Sequence, residues 1–383
     1  MIFEKRLLAR ERGTGVLEKL WQIPWSFVVL LCGVAAVGYV ALLSAGGGNP
    51  EIYAQKHGIR FGFGLVLMLG IALIDIRIIA RFAWAGYAGA LVLLLLVLLH
   101  GNIGKGAQRW IDLGPFQLQP SELMKIMLVL ALTSWFHRAS WERVGNPIFL
   151  IPPAIAVLVP VVLILRQPNL GTALITAMVG ATVFWAAGIR WWKFAAAAAA
   201  AALAAPIAYE RLHDYQRARI TTFFDPESDP LGAGYNIIQS KIALGSGGLW
   251  GKGFLQGTQG HLNFLPEKQT DFIFTMLAEE WGFVGAASVM ALILLVVLYG
   301  LAIALACRHQ FGRLVAAGIT VNFALYVFVN IAMVMGMIPV GGVPLPLISH
   351  GGSAMITVLI GFGVLMSVHV HRAVEIEGEQ GEG

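Results

Sequence analysis

Residues 82–100 read FAWAGYAGALVLLLLVLLH and contain no Asp, Glu, Lys or Arg. Roughly 20 predominantly apolar residues are enough for a helix to cross the hydrocarbon core of a bilayer. This stretch therefore predicts a membrane-spanning helix. The same pattern recurs along the 383-residue chain, so the number of such runs decides the fold.

The chain contains about ten apolar runs of this kind. The first follows a charged stretch, but it is too long to be the apolar region of a cleaved signal peptide. The seventh includes eight consecutive alanines and is the weakest. We expect an all-α polytopic membrane protein of about ten transmembrane helices, with a large extracytoplasmic loop between helices 7 and 8. The runs are 24–45, 59–75, 82–100, 121–137, 147–166, 170–188, 193–209, 272–306, 313–337 and 347–370.

The composition agrees with this interpretation. Hydrophobic residues make up 58% of the chain and charged residues 12%, and the mean hydropathy is +0.76. Soluble domains are typically about half apolar and a quarter charged. These values exclude a soluble globular enzyme, a disordered chain and a nucleic-acid-binding domain. Cys32 and Cys307 are too far apart in the sequence to indicate a disulfide framework or a metal motif.

The distribution of Lys and Arg predicts the orientation. With the N-terminus inside, every predicted inner segment carries at least one basic residue. We therefore predict a multi-pass protein of the cytoplasmic (inner) membrane with both termini in the cytoplasm. Residues 1–383 form one membrane domain, with a cytoplasmic N-terminus at 1–23, a large external loop at 210–271 and a cytoplasmic tail at 371–383.

In this topology the long polar segments at 101–120, 210–271 and 338–352 all lie outside. Chemistry is therefore expected at the outer surface of the membrane. The Gly-rich segment 245–253 invites comparison with a phosphate loop, but Gly253 stands where that motif requires Ser or Thr. We predict a flexible, turn-rich loop there instead.

Asp271 is the acidic residue that lies where the long outer segment meets an apolar run. Two interpretations of this residue are open. Its side chain would cap the helix that follows. Alternatively, a carboxylate held at the outer interface would act as a base on a lipid-borne substrate.

Other charged residues lie in the first turns of predicted spans. Glu279 and Glu280 must face protein or water rather than lipid, and we interpret them as structural or polarising groups. In the fourth run, Ser121 is expected to cap the helix, with Glu122 in its first turn and Lys125 one turn further on.

The outer segment before that helix combines an aromatic residue with basic residues. Trp110 suits either an interfacial anchor or a platform for stacking against a sugar ring. Arg109 and Lys105 are well placed to bind a diphosphate, because arginine pairs with phosphate through two hydrogen bonds.

Eight blocks of sequence carry a resemblance to a known family. In chain order they are GAQRW (106–110), QPSEL (119–123), RQPNLGT (166–172), GSGG (245–248), LPE (265–267), TDF (270–272), EE (279–280) and PLISHGGS (346–353). With these blocks in order over nearly its whole length, the chain resembles the SEDS family of cell-wall polymerases, of the RodA (MrdB) type. The residues KGF at 252–254 and QG at 256–257 favour RodA over its close paralogue FtsW.

The resemblance implies a peptidoglycan glycosyltransferase that polymerises a lipid-linked precursor, lipid II, into glycan strands. It implies activity at the outer face of the cytoplasmic membrane, for cell-wall elongation and rod shape. The implied partners are a class B penicillin-binding protein, which is a transpeptidase, and other membrane proteins of the elongation complex, with no nucleic acid.

The resemblance also implies roles for individual residues. The family's essential aspartate corresponds to Asp271, and its outer-loop tryptophan corresponds to Trp110. Two arginines on family positions, expected at the diphosphate, are Arg109 and Arg219. Supporting roles are expected for Glu267, Glu279, Glu280, Glu122 and Lys125. Asn169 stands where the family usually has Asp, and His350 where Tyr is common, so neither takes over a family role.

The implied reaction joins the 4-hydroxyl of an incoming N-acetylglucosamine to the anomeric carbon of a lipid-linked muramic acid. One carboxylate suffices for a single inverting displacement, while the leaving diphosphate needs positive charge. No resident metal or cofactor is predicted, although a divalent cation such as Mg²⁺ or Mn²⁺ is compatible with a diphosphate. Two alternatives stay open: a lipid II flippase or transporter, and a non-catalytic scaffold for a penicillin-binding protein.

Overall fold

The computed structural model describes residues 15–100, 102–104, 107–112, 117–210, 214–228, 233–261, 264–265 and 267–374. Most of these residues are helical. The helices are α1 (Val16–Gln22), α2 (Trp25–Ala45), α3 (Ala54–Ala72), α4 (Ile76–His100), α5 (Pro120–Phe136), α6 (Trp141–Gly145), α7 (Pro147–Arg166), α8 (Leu170–Ala186), α9 (Trp191–Glu210), α10 (Asp214–Phe224), α11 (Ala233–Ser246), α12 (Thr258–His261), α13 (Ile273–Ala306), α14 (Gln310–Val334) and α15 (Gly352–Val370). The remaining elements are strands β1 (Asn102–Gly104), β2 (Ala107–Asp112) and β3 (Gln117–Leu118) and a 3₁₀ turn at Pro226–Ser228.

Each predicted apolar run coincides with one of these helices, namely α2, α3, α4, α5, α7, α8, α9, α13, α14 and α15. Within the described residues, six helices are both long enough and apolar enough to cross a membrane. They are Trp25–Ala45, Ile76–Leu99, Pro147–Arg166, Ile273–Ala306, Gln310–Val334 and Gly352–Val370. The prediction of a mostly helical, multi-pass integral membrane protein is confirmed.

Helices α14 and α15 lie at the centre of the bundle. In their most apolar windows 72% and 83% of the residues are buried, against 22% in α7. Helix α7 is nevertheless apolar on its exposed side, as a helix in contact with lipid should be. The side chains of Leu158 and Val162, for example, are more than a third exposed. The bundle therefore has a protein-packed centre and a lipid-facing rim.

Small residues let the central helices approach one another closely, as is common between helices in membranes. A Cβ atom on Gly363 of α15 would lie 2.8 Å from the carbonyl oxygen of Met68 in α3. A Cβ atom on Gly38 of α2 would lie 2.7 Å from the carbonyl oxygen of Leu347. These contacts fix the chain segment that precedes α15 against α2.

A small antiparallel sheet in the order β1–β2–β3 connects α4 to α5. Trp110 of β2 pairs with Asn102 of β1, and Ile111 of β2 pairs with Leu118 of β3. The prediction of an all-α fold misses this sheet. The segment is too short and too polar to continue a spanning helix, and its tryptophan and isoleucine favour extended backbone.

Helix α13 is interrupted at Gly282, where φ is 66° and ψ is −168°. The Gly-rich turn 247–253 fills this break, and the N–H of Phe283 donates to the carbonyl oxygen of Gly248 at 2.9 Å. A Cβ atom on Gly251 would overlap the backbone of α13. A broken helix at membrane depth needs such partners for its backbone. The prediction of a flexible loop is therefore wrong, because the turn is packed into the helix.

Candidate active site

Asp271 lies immediately before the N-cap of α13. The helix begins at Ile273, and its N-cap is Phe272, whose side chain makes no capping hydrogen bond. The interpretation of Asp271 as the N-cap residue is therefore wrong by one position. The helix starts late because the preceding residues form a tight turn, in which the N–H of Thr270 donates to the carbonyl oxygen of Glu267 at 3.0 Å.

Asn330 of α14 fixes the main chain at this aspartate. Its Nδ2 donates to the carbonyl oxygen of Asp271 at 2.9 Å and to that of Val343 at 2.7 Å. The asparagine is fully buried. A buried carbonyl left without a partner costs about 1–3 kcal/mol. One amide group therefore ties the start of α13 to the segment 338–351 that precedes α15.

The segment 338–351 also holds the two residues before the aspartate. The hydroxyl of Ser349 donates to the carbonyl oxygen of Thr270 at 2.6 Å. The main-chain N–H of His350 donates to the carbonyl oxygen of Gln269 at 2.8 Å. These bonds place the aspartate between α14 and the segment 338–351.

Glycines bring the same segment close to the carboxylate and to α8. A Cβ atom on Gly342 would lie 3.6 Å from Oδ2 of Asp271, which is itself half-buried. Gly342 has φ 65°, a conformation that glycine adopts at little cost. A Cβ atom on Gly171, near the start of α8, would lie 2.7 Å from the carbonyl oxygen of Gly341. The start of α8, the segment and the aspartate are therefore neighbours.

Strand β2 places Arg109 against the turn between α7 and α8. Its Nε donates to the carbonyl oxygen of Gln167 at 3.3 Å, and its Nη2 donates to that of Pro168. Two donors of the guanidinium are thus directed at main-chain carbonyls. Trp110 follows on the same strand and is half-buried. The predicted roles of both residues toward diphosphate and sugar stay predictions.

Two further basic residues of the predicted site cannot be placed beside the aspartate. Lys105 lies outside the described residues, and so does the side chain of Arg219, whose main chain belongs to α10. Across the described ranges, no three His, Cys, Asp or Glu side chains come together in a group that would hold a metal ion.

Glu122 and Lys125 form a buried ion pair in the first turns of α5, with 2.9 Å between Nζ and Oε1. The hydroxyl of Tyr326 in α14 donates to the other oxygen of Glu122, and Nζ of Lys125 lies 4.2 Å from the centre of that ring. The predicted spacing of this pair agrees with the structure. The predicted cap does not, because α5 begins before Ser121 and its N-cap is Gln119.

Glu279 is fully buried and surrounded by donors. Its Oε1 accepts from Nζ of Lys252 at 2.7 Å, from the N–H of Thr258 at 2.8 Å and from the N–H of Gln259 at 3.1 Å. The hydroxyl of Thr258 donates to the same atom at 3.0 Å. These contacts join the Gly-rich turn and α12 to α13, which supports a structural role.

The two other acidic residues of the predicted site also contact protein groups. Glu280 accepts a hydrogen bond from the hydroxyl of Ser44 in α2. Glu267 has φ 60°, and its Oε2 accepts from the hydroxyl of Thr270 at 3.2 Å. Glu267 therefore helps to form the turn that presents Asp271.

Sequence reasoning missed Asn330 and Arg60, both of which lie inside predicted apolar runs. Polar residues in such runs are rare and need protein partners, and this would have marked both positions as candidates. Their partners could not be deduced, because Val343 and His350 lie in a distant segment of irregular backbone.

The family model of the FtsW, RodA and SpoVE proteins, described as cell cycle protein, matches residues 22–374. The chain belongs to this family. It is 45% identical over 351 residues to the peptidoglycan glycosyltransferase MrdB of Escherichia coli K12, which covers 90% of this chain and 93% of MrdB. The predicted resemblance to the SEDS family is confirmed.

Two solved structures are similar to this fold. A chain from a study of structural coordination of polymerization and crosslinking by a peptidoglycan synthase complex gives a TM-score of 0.79 at 36% identity, covering 92% of this chain and 99% of that one. The crystal structure of the rod shape determining protein RodA of Thermus thermophilus gives a TM-score of 0.70 at 30% identity, covering 92% of this chain and 98% of RodA.

Proposed function

We propose that this protein is a peptidoglycan glycosyltransferase that polymerises lipid II into glycan strands at the outer face of the cytoplasmic membrane, during cell-wall elongation. The similarity to MrdB over 90% of the chain supports this activity. The structural observation that carries the proposal is the placement of Asp271. Its side chain is half-buried, and its main chain is held by Asn330 at the start of a long apolar helix.

The proposed role of Asp271 is that of a general base. A sugar hydroxyl is a weak nucleophile, and a positioned base typically accelerates such a step by about 10²–10⁴-fold. Asp271 would accept the proton of the 4-hydroxyl of N-acetylglucosamine while that oxygen attacks the anomeric carbon of the donor. The bond to the diphosphate breaks in the same displacement, and undecaprenyl diphosphate leaves. No covalent intermediate on the protein is required.

The proposed topology has ten spans, cytoplasmic termini and the 210–271 segment outside. Ten helices on the predicted runs and the distribution of Lys and Arg support it. Cysteines placed at the exposed positions Trp250 and Gln256 should then react with impermeant thiol reagents in intact spheroplasts, and one at the exposed Arg308 should not. Labelling at Arg308 alone would invert the topology and remove the argument for chemistry outside.

A transpeptidase partner of the class B penicillin-binding type is part of the proposal. One similar structure belongs to a peptidoglycan synthase complex that coordinates polymerization and crosslinking. A glycan strand made at the membrane surface is the substrate that a crosslinking enzyme needs, so a lasting association of the two activities is expected.

The deciding experiment replaces Asp271 with Asn in the purified protein and measures lipid II polymerisation with the partner present. Asn keeps the size of the side chain but cannot accept a proton at neutral pH. We expect a normally folded protein with at least about a hundredfold less synthesis. Asp225→Asn, at an exposed aspartate of the same external segment, is the matched control and should polymerise normally.

The same experiment separates the two alternatives. A flippase would transport lipid II in vesicles without making glycan. If the protein is a scaffold, glycan synthesis depends on the partner's own polymerase, and Asp271→Asn would leave that synthesis unchanged. Near-normal synthesis by the Asn variant would remove Asp271 as the base.

A further inference from the structure

Two basic side chains, Arg60 and Lys56, lie near His350, which contacts the turn that presents Asp271, and they have no role in the mechanism so far. Arg60 of α3 is half-buried, and its Nη1 lies 3.3 Å from Nε2 of His350. Lys56 and His57, one turn earlier on α3, act electrostatically on the same imidazole. His350 in turn donates its main-chain N–H to the turn that presents the aspartate.

Among the described residues, no acidic side chain balances the charge of Arg60. Its hydrogen bond is to His350, and no carboxylate of the described residues forms an ion pair with it. The titratable groups that act on His350 are Arg60, His57 and Lys56, and all of them oppose its protonation. A partly buried guanidinium without a countercharge is unfavourable. The arrangement is therefore suited to an anion that the protein itself does not supply.

The guanidinium of Arg60 lies over the N-terminus of α15. A Cβ atom on Gly352, the first residue of that helix, would lie only 2.9 Å from Cζ of Arg60, so glycine is needed for this approach. The N-cap is Gly351, which has no side chain to cap the helix. A helix N-terminus carries roughly half a positive charge. It therefore repels Arg60, and an anion that contacts both groups would stabilise both.

His350 orients the guanidinium. Arginine can only donate, so Nε2 of His350 must accept from Nη1. Burial and then the charge of Arg60 lower the pKa of His350 to about 4, so the imidazole is neutral and able to accept at neutral pH. The bond uses one edge of the guanidinium. The other donors are then held in a fixed direction.

We propose that Arg60, positioned by His350 over the N-terminus of α15, binds the diphosphate of the lipid-linked donor. The inference rests on the proposed function, because the leaving diphosphate must lie beside the anomeric carbon that Asp271 serves. Arginine binds phosphate oxygens through two parallel hydrogen bonds. His350 is linked through Gln269 to the turn of Asp271, which connects this anion site to the turn that carries the base.

The test measures binding of farnesyl diphosphate to the full-length protein in phosphatidylcholine nanodiscs, with farnesol as the uncharged reference. Arg60→Gln should weaken binding of the diphosphate roughly 10- to 100-fold and leave binding of farnesol unchanged. Arg60→Lys keeps the positive charge but cannot donate two parallel hydrogen bonds, and should weaken binding of the diphosphate several-fold. It serves as the second variant if Arg60→Gln does not fold. Arg77→Gln, at an exposed arginine on α4, is the matched control.

The positioning role of His350 is tested by two variants that differ by one hydroxyl group. His350→Tyr offers an oxygen that accepts from Arg60, whereas His350→Phe does not. We expect the Phe variant to lose affinity for farnesyl diphosphate and the Tyr variant to recover most of it, at equal melting temperature. Equal affinity in the two variants would overturn this part of the proposal.

Two results would overturn the site itself. The first is unchanged diphosphate binding in both Arg60 variants. The second is no binding of farnesyl diphosphate together with an Arg60-dependent stabilisation by phosphatidylglycerol, which would identify a phospholipid headgroup as the ligand. Asp271→Asn should bind normally. If the wild-type protein shows Arg60-dependent binding but makes no glycan, the proposed function is rejected and the anion site is kept.

Discussion

Asp271 and Glu279 stand at opposite ends of one half-helix, the part of α13 before the break at Gly282, and their surroundings differ. The carboxylate of Glu279 is completely buried, and one of its oxygens accepts four hydrogen bonds. Asp271 is half-buried, and Asn330 contacts its main chain. Four hydrogen bonds hold the side chain of Glu279, whereas Asn330 holds the main chain of Asp271.

This difference distinguishes an acid with a structural role from an acid with a catalytic role. A carboxylate that accepts several hydrogen bonds and an ion pair is stabilised in its charged form and is a poor proton acceptor. Asn330 positions the main chain at Asp271, and the half-buried side chain of Asp271 remains accessible to a substrate at the outer surface. Glu279 is therefore expected to support the fold, and Asp271 to support the reaction.

The largest effect on stability is expected at Glu279. Glu279→Ala leaves Lys252 and two main-chain N–H groups without their acceptor, and should lower the free energy of unfolding by about 3 kcal/mol. This is the lower end for a broken buried ion pair, because Lys252 is 26% exposed and can reach water. Asp271→Ala should lower the free energy of unfolding much less. The measurement is denaturant-induced unfolding of both variants in detergent.

Equal destabilisation by the two alanine variants would remove the distinction between the regions. Lys252→Met provides a check on the cause. If the ion pair is what matters, the loss from Glu279→Ala should be clearly smaller in a Lys252→Met background.

The next effect concerns the Gly-rich turn that supports Glu279. Gly251 has φ 81°, and a Cβ atom there would overlap the carbonyl oxygen of Glu280. Gly248 has φ 55°, with nothing within 4 Å of the added atom. Gly248→Ala should therefore lower the free energy of unfolding only by the cost of placing alanine in the left-handed conformation, about 1 kcal/mol. Gly251→Ala adds the overlap and should cost about 1–3 kcal/mol more. Equal melting temperatures for the two variants would contradict the conclusion that this turn is packed against α13.

The sequence was sufficient for features that depend on local pattern. The apolar runs located the helices, because a spanning helix must be apolar over its whole length. The pairing of Glu122 with Lys125 followed from residues three positions apart on one helix face. Asp271 was singled out because it stands where an apolar run begins.

Contacts between distant segments could not be predicted in this way. Arg60 and His350 are 290 positions apart, and nothing local to either indicates the other. The Gly-rich turn appeared flexible because its partner, the break at Gly282, is visible only in the folded chain. The caps at Ser121 and Asp271 were wrong by one or two residues, because the preceding turn decides where a helix starts.

The smallest effect concerns pH and the Asp271 region alone. His350, which lies before α15 and outside the spanning helices, has a folded-state pKa of about 4, against 6.5 ordinarily, owing first to burial and then to Arg60. Between pH 6.5 and 4 the unfolded chain binds a proton there and the folded chain does not. Stability contributed at this position is therefore complete above about pH 6.5 and falls as the pH is lowered toward 4. Below pH 4 both states are protonated, and the loss levels off.

We expect the melting temperature of the wild type to fall more steeply from pH 7 to 4.5 than that of His350→Tyr, which does not titrate in this range. The difference should be well below the limit of about 1.4 kcal/mol per pH unit for one group, because the imidazole is only half-buried. Parallel profiles for the two proteins would show that His350 keeps its ordinary pKa, and the neutral acceptor that positions Arg60 would then be lost at mildly acidic pH.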